Sequence, residues 1–111
     1  MKLVVMQRHE GEGVFPLFRK GTAVRLLDTE EAVEGNWFPC DIQGHLTYIP
    51  PMFLTDGVLN RNYNPTEMVA EEGKTVDLME VVFEWLCVRD RAGNQGWIPS
   101  GKVVSLSWSN R

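Results

Sequence analysis

The chain states one pattern twice, about fifty residues apart, and that repeat constrains the fold more than any other feature. Residues Gly21–Leu26 read GTAVRL and Gly73–Leu78 read GKTVDL; each is followed by a tryptophan, Trp37 or Trp85, and then by Tyr48-Ile49-Pro50 or Trp97-Ile98-Pro99. The interval from Trp37 to Ile49 is twelve positions and that from Trp85 to Ile98 is thirteen. Matched landmarks in a fixed order predict two copies of one small module, residues 1–54 and 58–111, joined by Thr55-Asp56-Gly57. A domain of about 60 residues buries only about 60% of the surface its unfolded chain exposes, so the halves are predicted to pack on each other across this short linker. Modules this small leave little room for a buried catalytic cleft and work by presenting a surface.

Short runs rich in branched and aromatic side chains recur along the chain: Leu3 to Met6, Ala23 to Leu27, Trp37 to Ile42, His45 to Ile49, Val76 to Val82, Trp85 to Arg89 and Gln95 to Ile98. Glu34-Gly35-Asn36, Gln43-Gly44 and Ala92-Gly93-Asn94-Gln95-Gly96 separate several of them with residues that tolerate positive φ. Strands of this length between such turns predict an all-β protein. Thr66 to Glu72 contains helix formers, but Pro65 and Gly73 bracket it within two turns, and it reads as a loop.

Charge narrows the partners. The net charge is −4 with no basic block; residues 1–56 carry eight acids against five bases, and residues 57–111 carry seven against six. Phosphate-binding surfaces cluster Lys and Arg, so nucleic acid is not an expected partner. The apolar run Leu3–Met6 is too short for a secretory signal, and no stretch approaches the roughly 20 apolar residues of a membrane span. The reading is a cytoplasmic protein with no membrane partner. Cys40 and Cys87 fall at near-equivalent places in the repeats and are expected to be reduced core residues. There is no CxxC, and neither His9 nor His45 has a neighbour at metal-ligand spacing, so no metal or cofactor is expected. His9 reads as an exposed polar residue and His45 as a strand residue beside a hairpin tip. Cys40 with His45 is the strongest nucleophile–base pair available, and five positions across a tight hairpin give no reason for the two to meet. The chain reads as non-catalytic.

The same residues resemble the Src homology 3 (SH3) barrels, including their degenerate bacterial relatives. The second repeat carries the clearer likeness: Tyr63-Asn64-Pro65 ends a first element, Glu67, Glu71 and Glu72 lie in an acidic loop, Gly73-Lys74-Thr75-Val76 opens a strand, Trp85 opens the next, and Gly96-Trp97-Ile98-Pro99-Ser100 is the closest match. In the first repeat Val5 to Gly13 align with the signature strand and loop, Phe18-Arg19-Lys20-Gly21 with a turn, and Tyr48-Ile49-Pro50 with the end. The resemblance implies two tandem SH3-like barrels. It also implies binding of an extended, proline-rich peptide across an aromatic groove, with loop carboxylates pairing to a peptide Lys or Arg. On that basis the candidate ligand-binding residues are Trp37, Pro50 and Phe53 in the first repeat and Tyr63, Trp85 and Pro99 in the second. Glu67, Glu71 and Glu72 are the leading carboxylates, with Glu10 and Glu12 beside the first groove. The chain departs from the family pattern where Gln7 and His9 replace signature tyrosines and where Lys102 replaces a late aromatic.

Trp37 and Trp85 also have a structural reading as cover for a barrel edge or the seam between modules, since tryptophan buries 150–250 Å². Pro50 and Pro99 would end strands because proline donates nothing to a ladder. Trp108, in a polar tail, is a candidate cover for the same seam or a contributor to a ligand surface. The leading function is a non-catalytic interaction protein that binds a protein or peptide. A small acidic inhibitor or immunity-type protein that blocks a basic partner is the second reading. Recognition of cell-wall peptides is the third.

Overall fold

A computed structural model of the chain describes residues 1–27 and 36–106. The predicted turn at Glu34-Gly35 and the tail bearing Trp108 lie outside the described residues. The chain divides into two compact units, Met1–Val14 with Thr66–Arg111, and Phe15–Pro65; we call them the split and the continuous unit. The fold is all-β and antiparallel, with sheets of five, three and two strands and no long helix among the described residues. Among the described residues no helix is long and apolar enough to cross a membrane. The strand order of each sheet is open among the described residues.

In the split unit the strands are β1 (Lys2–Val5), β7 (Thr75–Val82), β8 (Trp85–Arg89), β9 (Gln95–Pro99) and β10 (Val103–Ser105), in the order β10-β1-β7-β8-β9. β1 lies between the two ends of the unit, with Leu3 opposite Ser105 on one side and Val76 on the other. Its alternation puts Leu3 and Val5 into a core with Met68, Ala70, Val76, Leu86, Val88 and Ile98. β7 is rich in branched residues, as a pleated, half-buried surface favours, and its register shifts between Leu78 and Glu80 where it crosses β8. Asp90 closes the β8–β9 loop: its carboxylate accepts from the Ala92 and Asn94 amides at 3.0 and 2.9 Å, and Lys74 Nζ lies 3.2 Å away.

In the continuous unit β2 (Arg25–Leu26), β3 (Phe38–Ile42) and β4 (His45–Ile49) form one sheet, and β5 (Leu54–Thr55) and β6 (Val58–Leu59) form a two-stranded ribbon. Gln43 and Gly44, at φ 51° and 85°, make the two-residue turn between β3 and β4. Positive φ at both central positions gives the turn a twist that matches the strands it joins. The Asp41 carboxylate accepts from the Gly44 amide at 2.8 Å and pairs with Arg25 at 2.9 Å. That pairing with Arg25, reinforced by the Gly44 amide, holds Asp41 below the usual aspartate range.

The repeat has a structural counterpart. Each tryptophan precedes or opens a hairpin, β3–β4 or β8–β9, and each hairpin runs through Pro50 or Pro99 into a 3₁₀ turn, Pro51–Phe53 or Ser100–Lys102. Proline fixes φ near −65° and cannot extend a ladder, so it hands the chain from strand to turn at both places. The arrangement differs from two sequential modules in one respect. β1 pairs with β7 and β10, so the first strand of the chain completes the sheet of the second repeat. Thr55-Asp56-Gly57, read from the sequence as a linker, is instead part of the β5–β6 hairpin: Thr55 opposes Val58, and Asp56 and Gly57 sit at φ 51° and 79°.

Candidate functional site

In the continuous unit the expected groove residues come together as core. Trp37, Pro50, Phe53 and Tyr63 are all buried. The Phe53 ring stands edge-on to Tyr63 at 5.3 Å and to Trp37 at 6.4 Å, and the Tyr63 hydroxyl donates to the Tyr48 carbonyl at 2.6 Å. Aromatic rings are the largest apolar surfaces this unit owns, and a small core takes them first. Tyr63, placed by the sequence in one groove with Trp85 and Pro99, belongs to the continuous unit, where its backbone exchanges both hydrogen bonds with Phe18 at 2.8 Å.

The split unit holds the more open set. Trp85 and Pro99 face each other across β8 and β9 and are both half-buried. Beside Trp85, at 6.0 Å and edge-on, stands the ring of His9. His9 is buried, contrary to the expectation of an exposed polar residue, and its backbone exchanges two 2.9 Å hydrogen bonds with Ala70. Its Nε2 lies 2.8 Å from Glu67 Oε1 and its Nδ1 lies 3.0 Å from Lys102 Nζ. A lysine ammonium has no lone pair, so against it Nδ1 accepts from Lys102 and Nε2–H donates to Glu67. Lys102 Nζ also donates to the Arg8 carbonyl at 3.2 Å.

Three segments position this cluster. The stretch after β1 brings His9, the loop before β7 brings Glu67, and the 3₁₀ turn before β10 brings Lys102. Glu67 is held from behind: its neighbours Thr66 and Met68 bond to Trp97 along β9 at 3.0 and 2.8 Å, and Gly11 at φ 72° approaches so closely that a Cβ there would stand 2.8 Å from Glu67 Cβ. Glu71 and Glu72 are exposed, and Glu71 pairs with Arg8 Nε at 2.8 Å. Arg8 pairs with Glu10 as well; Glu10 first, and Glu71 after it, hold the guanidinium above its usual value, while Arg8 holds Glu10 below the usual carboxylate range.

His9 and Lys102 are the two residues of this cluster that sequence reasoning passed over as ligand candidates. Both stand where the sequence departs from the SH3 pattern, and the fold brings those departures into contact through one hydrogen bond.

The cysteines are apart from this cluster. Burial, with the Asp41 charge added, pushes the Cys40 thiol up to about 12, far from a reactive thiolate at neutral pH. Cys87 is half-buried on β8 between Glu80 and Trp97 in register, and neither cysteine is in a disulfide. Among the described residues no three His, Cys, Asp or Glu side chains form a group able to hold a metal ion.

The surface around Trp85 and Pro99 thus combines an aromatic–proline pair with a hydrogen-bonded carboxylate and a fringe of further acids. No protein-family model, no curated protein and no solved structure matches this chain.

Proposed function

We propose that the chain is a non-catalytic interaction protein, and that the split unit binds an extended segment of another protein across Trp85 and Pro99 with Glu67 as its charge-reading group. The observation that carries this reading is the cross-strand pairing of Trp85 with Pro99 beside the His9–Glu67 hydrogen bond. An aromatic ring next to a proline makes a ridge that a polyproline II segment packs on with little loss of entropy, and an oriented carboxylate alongside selects Lys or Arg. The strand order β10-β1-β7-β8-β9 and the 3₁₀ turn between β9 and β10 support an SH3-like arrangement of this unit, with the continuous unit entering the chain after β1.

The test is an NMR titration of the protein with synthetic proline-rich peptides that carry or lack a terminal arginine. Binding is expected to perturb Trp85, Pro99 neighbours and Glu67, to weaken about tenfold when the arginine is removed, and to disappear in Trp85→Ala. Trp85→Ala that binds as the wild type does would sink the reading.

A further inference from the structure

The two units fill one set of positions with different chemistry. Phe18 stands three places before Gly21, and Ala70 stands three places before Gly73. Phe18 exchanges backbone hydrogen bonds with Tyr63 and Ala70 exchanges them with His9, so Tyr63 and His9 hold equivalent places. Phe53 and Lys102 are the last residues of the two 3₁₀ turns, each three places after its proline, Pro50 or Pro99. In the continuous unit the pair is Tyr63 against Phe53, ring on ring at 5.3 Å, with Trp37 edge-on to Phe53. In the split unit it is His9 against Lys102, joined at 3.0 Å, with Trp85 edge-on to the imidazole. A small core gives up apolar contact when it takes a histidine and a lysine where its sister takes two aromatic rings, so the polar pair calls for a use outside packing.

Two charged groups face the imidazole. Glu67, from the loop before β7, meets Nε2 at 2.8 Å, and Lys102, from the turn after β9, meets Nδ1 at 3.0 Å. β8 contributes the Trp85 ring and Ala70 contributes backbone. Arg8, Glu10 and Glu71, the sequence neighbours of His9 and Ala70, pair among themselves. Histidine is the side chain that ordinarily changes charge between pH 5 and 8. A neutral ring accepts from the Lys102 ammonium at Nδ1 and donates to Glu67 from Nε2. A protonated ring donates at both nitrogens, which sets two donors and two positive charges against each other at Nδ1 and turns the Glu67 contact into an ion pair.

We propose that His9 is a pH switch that releases Lys102 at the Trp85–Pro99 site. Protonation expels Lys102 Nζ from the ring, leaving it the Arg8 carbonyl that it already bonds at 3.2 Å, and draws the Glu67 charge onto the imidazolium. Both moves act on the binding surface: the Lys102 turn runs directly from Pro99, and Glu67 is the carboxylate that meets a cationic ligand. A segment bearing lysine or arginine is therefore held at neutral pH and released in mild acid. This regulation rests on the reading of the split unit as a site for such a segment.

The experiment takes the full chain from about pH 8 to about pH 5.5, above the ordinary carboxylate range, beside His9→Gln, whose amide keeps an acceptor and a donor but does not titrate. NMR of the unliganded wild type is expected to show the NOEs between the Lys102 Hε protons and the His9 ring vanishing as that ring titrates, with the Ser100 to Val103 amides moving in step. Those amides are expected to stay still in His9→Gln. Affinity for a proline-rich peptide ending in arginine is expected to fall about tenfold over the same range in the wild type and to change less than about twofold in His9→Gln. NOEs that persist through the His9 titration overturn the proposal from the wild type alone, whether or not the variant folds. Equal pH dependence of binding in the two proteins overturns it as well. Absence of peptide binding at every pH, with the NOEs still lost on protonation, overturns the binding reading and leaves the His9–Lys102 switch standing.

Discussion

Leu3 faces Val76 across the β1–β7 ladder, and both are buried in the core of the split unit although 73 positions of sequence separate them. The sheet of the second repeat therefore depends on a strand that lies more than seventy positions before it. A chain of residues 58–111 lacks β1 and is expected not to fold, giving poorly dispersed amide spectra. Leu3→Ala in the full chain is expected to cost about 2–5 kcal/mol, read by urea unfolding. A well-folded 58–111 chain would contradict the pairing.

Tyr63 ties the core of the continuous unit to β4 through its hydroxyl on the Tyr48 carbonyl. Tyr63→Phe keeps the ring against Phe53 and loses that bond, for a cost of about 1 kcal/mol. Phe53→Ala removes the ring that both Trp37 and Tyr63 pack on and should cost about 3–5 kcal/mol. Equal effects from the two substitutions would show that the aromatic cluster is not a core.

Gly96 and Gly101 form a matched pair for testing the loop that carries Glu67. A Cβ on Gly96 would stand 2.7 Å from the Met68 backbone nitrogen, whereas a Cβ on Gly101 meets nothing within 4 Å. Backbone cannot rotate aside as a side chain does, so Gly96→Ala is expected to push residues 66–68 off β9 at a cost of about 1–3 kcal/mol. Gly101→Ala is expected to be neutral within about 0.5 kcal/mol. Amide exchange at Met68 should rise in the first variant and not in the second.

The Arg25 partner and the Gly44 amide lower the Asp41 pKa in the folded protein, so the sign of its pH effect is fixed. A depressed carboxylate contributes stability above its unfolded value, and that contribution is lost as pH falls through the folded one. Asp41→Asn is expected to melt below wild type at neutral pH, with the gap closing as pH drops below the usual aspartate range. A gap that stays constant with pH would assign the effect to the turn hydrogen bond alone.

Strand positions were largely readable from residue type. The seven apolar runs correspond to β1, β2, β3, β4, β7, β8 and β9, and the segment from Thr66 to Glu72 is a loop as its bracketing Pro65 and Gly73 suggest. β5, β6 and β10 are two or three residues long, too short for alternation to register. Partner choice was the harder part. Alternation in Leu3-Val4-Val5 says that one face is buried, but it contains nothing that points to Val76 or Ser105. The aromatic landmarks Trp37, Phe53 and Tyr63 read as surface through the SH3 likeness, while the unit's need for apolar volume drew them inside. His9 and Lys102 had no signal of their own, because a buried histidine is stabilised by partners that only the folded chain brings near.

The place of β1 also sets an order of events during synthesis. Its residues leave the ribosome ahead of those of β7, and Thr75, which pairs with Val4, is made about seventy residues later. At about 5–20 residues per second the nascent strand waits roughly 4–14 s for its neighbour. Meanwhile the whole of Phe15–Pro65 is translated and has its own strand partners in hand. The continuous unit is thus able to become protein structure while β1, made before it, still waits for its place.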